Sequence, residues 1–124
     1  MNEGKFILNG KRPEACSNLM RWARWIETAD RHVAKTQIGD IWVSTIFLGL
    51  DHNWLGNGAP VLFETMCFIE GDAGDVLPFN RYRTWEEAEA GHAEAVMICE
   101  AVNGAAGDGA DDLFARLRSA MEKR

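Results

Sequence analysis

Residues Ile41 to His52, IWVSTIFLGLDH, constrain this chain more than any other stretch. In extended form Ile41, Val43, Thr45 and Phe47 share one face, and Trp42, Ile46, Leu48 and Leu50 share the other. Both faces are mainly apolar, which predicts a strand covered on both sides. Its β-branched and aromatic residues favour strand over buried helix. Asp51 and His52 follow at once, two side chains able to do chemistry at a strand's end.

A second β-prone run, Val61–Ile69 (VLFETMCFI), is placed antiparallel beside the first. Its Glu64 shares a face with Leu62, Met66 and Phe68, a face that otherwise reads as core. His32–Gln37 forms the first arm of the sheet, turning at Gly39-Asp40 and lying near an edge. Upstream, Lys5–Leu8 runs into Asn9-Gly10, a tight-turn signal, and Pro13 is expected to end that element. Asp51–Pro60 is a loop containing Trp54 and Leu55, residues unusual in a solvated connector. Glu70–Arg83 reads as another loop.

Three helices are expected. In Cys16–Thr28, Leu19, Trp22, Ala23 and Ile26 follow the spacing of one buried face. Thr84-Trp85-Glu86-Glu87 is a capping box opening a helix to about Val102, with Ala88, His92, Ala95, Val96, Cys99 and Val102 inward. Residues 104–110 read as a flexible linker to a last helix, Asp111–Lys123, with Leu113, Phe114, Leu117 and Met121 apolar. The pattern predicts a single α+β domain over residues 1–124. Its small antiparallel sheet has three to four strands, with Ile41–Leu50 central, packed with two or three helices.

Charge narrows the function classes. The chain carries −6, split unevenly. Residues 1–35 hold seven Lys/Arg against four Asp/Glu, and residues 36–124 hold six against fifteen. An acidic chain does not gather nucleic acid by long-range attraction, so direct nucleic-acid binding is disfavoured. A basic N-terminal part beside an acidic remainder allows a local anion contact, or a homo-oligomer. Cys16, Cys67 and Cys99 lack metal-ligand spacing and are expected to pack as small apolar residues in a reducing cytoplasm. No apolar run is long enough to cross a bilayer, and no membrane association is expected.

Asp51, His52, Glu64 and His92 form the sharpest constellation. If the long helix covers the Glu64 face, a carboxylate and an imidazole meet beneath it. Such a pair can hold a divalent metal, move protons, or make a buried hydrogen-bonded network, and the network reading leads. No catalytic set, metal motif, phosphate loop or cofactor site is recognised. Arg21 and Arg24 beside Trp22 and Trp25, and Arg81 and Arg83 before the capping box, are candidate anion-binding groups. Trp54 and Leu55 are candidate partner contacts.

Several of these pieces recur together: Trp22-Ala23-Arg24-Trp25-Ile26-Glu27, Val43-Ser44-Thr45-Ile46-Phe47-Leu48-Gly49-Leu50-Asp51-His52, Leu62-Phe63-Glu64-Thr65-Met66, Arg81-Tyr82-Arg83-Thr84-Trp85-Glu86-Glu87-Ala88 and Gly91-His92. Over most of residues 5–100 the chain resembles a group of small proteins encoded by phages and prophages; the final helix stands outside the likeness. The resemblance carries no activity. It implies a phage or prophage origin, a cytoplasmic setting in an infected cell, and a role in manipulating the host or its defences. The leading expectation is a non-catalytic binding protein that inhibits a host or anti-phage-defence protein. One alternative is a nucleotide-binding protein that sequesters a signal molecule. Another is a small metal-dependent enzyme using Asp51, His52, Glu64 and His92.

Overall fold

The two apolar runs pair as their patterns require. The computed structural model describes residues 4–54, 56–71, 76–104 and 110–123. In chain order the elements are β1 (Phe6–Asn9), β2 (Arg12–Ala15), α1 (Leu19–Thr28), β3 (His32–Ile38), β4 (Ile41–Phe47), β5 (Phe63–Ile69), β6 (Val76–Tyr82), α2 (Trp85–Gly104) and α3 (Ala110–Glu122). β3 to β6 form a four-stranded antiparallel meander in the order β3-β4-β5-β6, and β1 and β2 form a separate hairpin. The fold is α+β.

α2 lies across one face of the sheet and touches all four strands. Its Ala88, His92, Ala95, Cys99 and Val102 are buried. Beneath them lie Ile41, Val43, Thr45 and Phe47 from β4, and Phe63, Thr65, Cys67 and Ile69 from β5. α3 packs on the far end of α2 through Leu113, Leu117 and Met121. At the other end Phe47, Leu62, Phe63, Tyr82 and Ala88 form a second cluster, backed by Phe6, Leu8, Trp25, Val33 and Trp85.

The expectation of a strand covered on both sides fails on the second face. There β4 presents Trp42, Ser44 and Ile46, all half-buried, with no helix packed across them. α1 leans mainly on β1 and sends Trp25 to Phe47, and α3 packs on α2 and joins the core on the covered face. Large side chains shading one another produced the apolar pattern, rather than a second layer.

Other expectations also shift. Residues 76–82, read as loop, are an edge strand; Pro78 and Asn80 disguise it, but an edge strand tolerates both. Pro13 does not end the first element but sits inside β2, pairing with Leu8. α1 begins at Leu19 after an Asn18 cap, and none of its residues is fully buried. Leu19 and Met20 are 59% and 61% exposed. The 104–110 linker falls largely on residues 105–109, outside the described residues; α2 runs to Gly104 and α3 starts at Ala110.

Both edge strands carry a bulge. In β3 the register shifts between His32 and Ala34, and in the β5–β6 pair it shifts between Thr65 and Met66. Each shift leaves one extra residue, Val33 or Phe79, whose apolar side chain joins a core cluster. Bulges twist an edge away from foreign strands. β6 is guarded further. Pro78 has no N–H to offer, the Arg81 N–H is taken by the Asn80 side chain (2.9 Å), and the Arg83 N–H by Glu87 (3.0 Å).

Gly91 fixes how closely α2 approaches β6. A Cβ there would strike the Tyr82 ring and hydroxyl. Ala is favoured over Gly inside a helix by about 1 kcal/mol. Overpacking against a buried ring costs about 1–3 kcal/mol and wins. We therefore expect Gly91→Ala to lower unfolding stability by about 1–2 kcal/mol in urea denaturation; an unchanged or raised midpoint would show that Tyr82 yields freely.

Candidate functional site

His92 faces the sheet from the middle of α2. Its Nδ1 lies 2.7 Å from Thr45 Oγ1, and its Nε2 lies 2.8 Å from Thr36 Oγ1. Thr45 Oγ1 is in turn 2.6 Å from Thr65 Oγ1. Two strands, β3 and β4, thus send hydroxyls to one imidazole, and β5 backs the Thr45 hydroxyl with Thr65. A neutral ring suits them, since one nitrogen donates, the other accepts, and the hydroxyls rotate to match. Burial pushes the His92 pKa below its ordinary 6.5. His92 is satisfied by threonines, not by the Glu64 carboxylate with which the sequence reading paired it.

Glu64 lies on the opposite face of the sheet. Alternation along β5 sends Thr65 toward α2 and Glu64 away from it. Only 8% exposed, Glu64 accepts a hydrogen bond from Arg81 Nε at 2.8 Å, its cross-strand partner on β6. The Arg81 guanidinium also sits over the Trp54 ring, 5.3 Å from its centroid. His52 tilts against the same ring at 5.4 Å. The carboxylate therefore orients a cation, and the cation backs an indole that is 76% exposed.

Asp51 is a hinge pin for the loop. It accepts hydrogen bonds from the backbone N–H groups of Asn53 (2.8 Å) and Val61 (2.9 Å), tying both ends of residues 51–61 together. His52 Nδ1 contacts the Leu50 carbonyl oxygen at 2.7 Å. Asn53 donates to the carbonyls of Asn57 and Ala59, and Arg83 Nε donates to Ala59 at 2.9 Å. Trp54 is thus carried on a loop held by its own hydrogen bonds. Leu55 lies outside the described residues.

The constellation of Asp51, His52, Glu64 and His92 is not assembled. Asp51 and His52 adjoin the Glu64–Arg81–Trp54 group, while His92 is sealed beneath α2 across the sheet. Among the described residues no three His, Cys, Asp or Glu side chains gather to hold a metal ion. Glu64 and His92 never meet, because the helix covers the other face.

Of the candidate anion-binding groups, Arg81 and Arg83 come together. With His52 they line an open cleft of about 620 Å³ between β6 and the first half of α2. Glu87 and Glu94 line it too. Glu87 already occupies the helix N-terminus, accepting from the N–H groups of Arg83 and Thr84 (3.0 and 3.2 Å). The protein's own carboxylate thus stands where a phosphate would bind. Arg21 and Arg24 are exposed on α1 and do not line this cleft.

Sequence reasoning missed the rest of the open face. Trp42 and Phe68, cross-strand partners, stack with centroids 6.4 Å apart and rings 15° from parallel. Lys35 Nζ lies 4.8 Å from the Trp42 centroid. Once the second face is taken as open, period-two alternation places all three side chains there. Cys67 and Cys99 lie in the core with sulfurs 3.9 Å apart. The contact with Cys99 and burial push the Cys67 thiol upward, keeping it protonated.

Comparison with protein-family models, curated proteins and solved structures finds no match for this chain.

Two predictions follow from this geometry. The unfolded chain binds a proton on His92 more readily than the folded chain, so this group's stabilisation is complete above about pH 6.5 and falls as the pH is lowered. Urea denaturation at pH 7.5 and at pH 5.5 should show a smaller pH-dependent loss in His92→Gln than in the wild type. Equal losses would remove His92 as the cause. Arg81→Ala leaves a buried carboxylate without its cation and should cost about 1–2 kcal/mol, because Arg81 is itself partly exposed. Glu64→Gln, which keeps an acceptor, should cost less, and the opposite order would exclude the pairing as the main role of Glu64.

Proposed function

We propose that the chain is a non-catalytic binding protein, and that it acts by docking on another protein. The observation that carries this reading is Trp54. It is largely exposed, sits on a loop closed by Asp51 and Asn53, and is backed by Arg81. An aromatic held in place before binding loses little conformational entropy on contact, which is how anchoring residues concentrate affinity. The surrounding polar groups serve that loop rather than a reacting centre. The resemblance to phage-encoded proteins makes a host or defence protein the partner class to examine first, and inhibition by occupancy the mode.

Immobilised protein should retain a partner from host lysate at near-stoichiometric level. Trp54→Ala should weaken that retention about 30-fold, the effect of losing an anchoring aromatic, with unchanged melting temperature. Absence of any retained partner, or equal retention by Trp54→Ala, would count against the reading.

A second reading is nucleotide binding, with a sequestered signal molecule as ligand. Its support is the cleft shared by Arg81, Arg83 and His52, whose volume lies in the range of small-molecule sites. A thermal-shift screen of mono-, di- and cyclic nucleotides should then reveal a stabilising ligand whose effect is lost in Arg83→Ala. A flat response across the set would argue against it.

A further inference from the structure

The register maps the open face into three rows that cross the four strands. One row is Gln37, Trp42, Phe68 and Val76; the next is Lys35, Ser44, Met66 and Pro78; the third is His32, Ile46, Glu64 and Arg81. The floor is apolar and aromatic. Cations stand at opposite edges, Lys35 on β3 and Arg81 on β6. Among the described residues the one carboxylate between them is Glu64, which Arg81 already engages. Glu70 stands at the corner, accepting from Gln37 at 2.8 Å, and Asp30 holds His32 at the opposite corner. The other side of the molecule is acidic throughout its helix. α2 carries Glu86, Glu87, Glu89, Glu94 and Glu100, all exposed, and no Lys or Arg.

We infer that this face docks an extended acidic segment of a partner protein, lying across the strands with an apolar side chain between two carboxylates. The inference rests on the binding-protein reading above and adds the chemistry of the partner. Three strand spacings and a two-residue offset along the strands separate Lys35 from Arg81, about 16 Å. In an extended chain residues i and i+4 lie about 13 Å apart and point to the same side, with i+2 between them. Carboxylates at i and i+4 reach the two cations, and an apolar residue at i+2 settles against Met66 and Ile46.

A second copy fits less well. A two-fold axis along the strands sets Lys35 over the Pro78 edge of the other copy, and an axis across the strands sets Lys35 over its own counterpart. Neither brings Lys35 a carboxylate. Single-stranded nucleic acid also fits less well. Two cations supply few phosphate contacts, and Trp42 has one ring face under Lys35.

The test is an NMR titration of ¹⁵N-labelled protein with three probes. One is a nonapeptide with Glu at i and i+4, Leu at i+2 and Thr elsewhere. The second has Lys in place of Glu, and the third is a twelve-nucleotide oligothymidylate. The acidic peptide should bind most tightly and shift the amides of Lys35, Trp42, Ser44, Met66 and Arg81. Lys35→Glu should weaken it on the order of tenfold and improve binding of the Lys peptide. Lys35→Met, which keeps the aliphatic stem over Trp42, should give a smaller loss at unchanged melting temperature. The inference is overturned by equal binding of both peptides, by no binding, by tighter binding of the oligonucleotide, or by a concentration-dependent dimer that protects these amides without peptide. It fails alone, leaving the binding-protein reading intact, if a lysate partner is lost with Trp54→Ala but retained by Lys35→Glu.

Discussion

Everything in this fold depends on α2 covering one face of the sheet and not the other. Its inward stripe is made of small residues, Ala88, Gly91, Ala95 and Cys99, with His92 in the middle. Small side chains let the helix sit close, and close approach fits the observed contact with all four strands. His92 sets the position. An imidazole between Thr36 and Thr45, with Thr65 behind, tolerates little sliding, because displacement leaves buried hydroxyls unpaired at a cost of about 1–3 kcal/mol each. Apolar packing holds the helix down, and the polar cluster selects where it rests.

That choice determines the chemistry of the remaining surface. With the threonines of β4 and β5 committed inward, the alternate residues Trp42, Ser44, Ile46, Glu64, Met66 and Phe68 face outward. An open face of this kind must manage a buried carboxylate without a helix above it. It does so with Arg81 from the neighbouring strand. Since the guanidinium presents five donors and a flat surface, the same group that satisfies Glu64 also stacks on Trp54. A requirement of folding thereby backs the exposed aromatic on a loop that its own hydrogen bonds hold.

Much of the architecture was legible from the sequence. The β4–β5 pairing, the β3 arm and the Thr84–Glu87 capping box each rest on local pattern, and each is present in the structure. β6 was hidden because Pro78 and Asn80 mimic a loop, and because its bulge breaks the alternation at Phe79. α1 showed an amphipathic stripe that the structure covers only in part, since periodicity says which residues face one way and not how much lies opposite them. The candidate site divided in the same manner. Glu64 was correctly marked as a carboxylate among apolar neighbours, yet which face the helix takes is a tertiary choice. Thr45 and Thr65 meet the His92 side of the helix there, and a lone threonine in a strand carries no signal of that role.

An uncovered sheet face bearing half-buried Trp42, Phe68 and Met66 beside exposed Val76 is a natural template for self-association. Edge guarding removes one route: bulges at both edges, Pro78, and the capped N–H groups of Arg81 and Arg83 leave few free groups for strand addition. Face-to-face stacking is a different route, and a different device opposes it. Lys35 stands over the largest aromatic, so that burying the face against a like surface desolvates an ammonium that gains no carboxylate. The same lysine welcomes a surface that supplies one. In the docking inferred above, a single cation penalises a second copy and favours an acidic partner, and the selectivity of the face resides in that difference rather than in its apolar area.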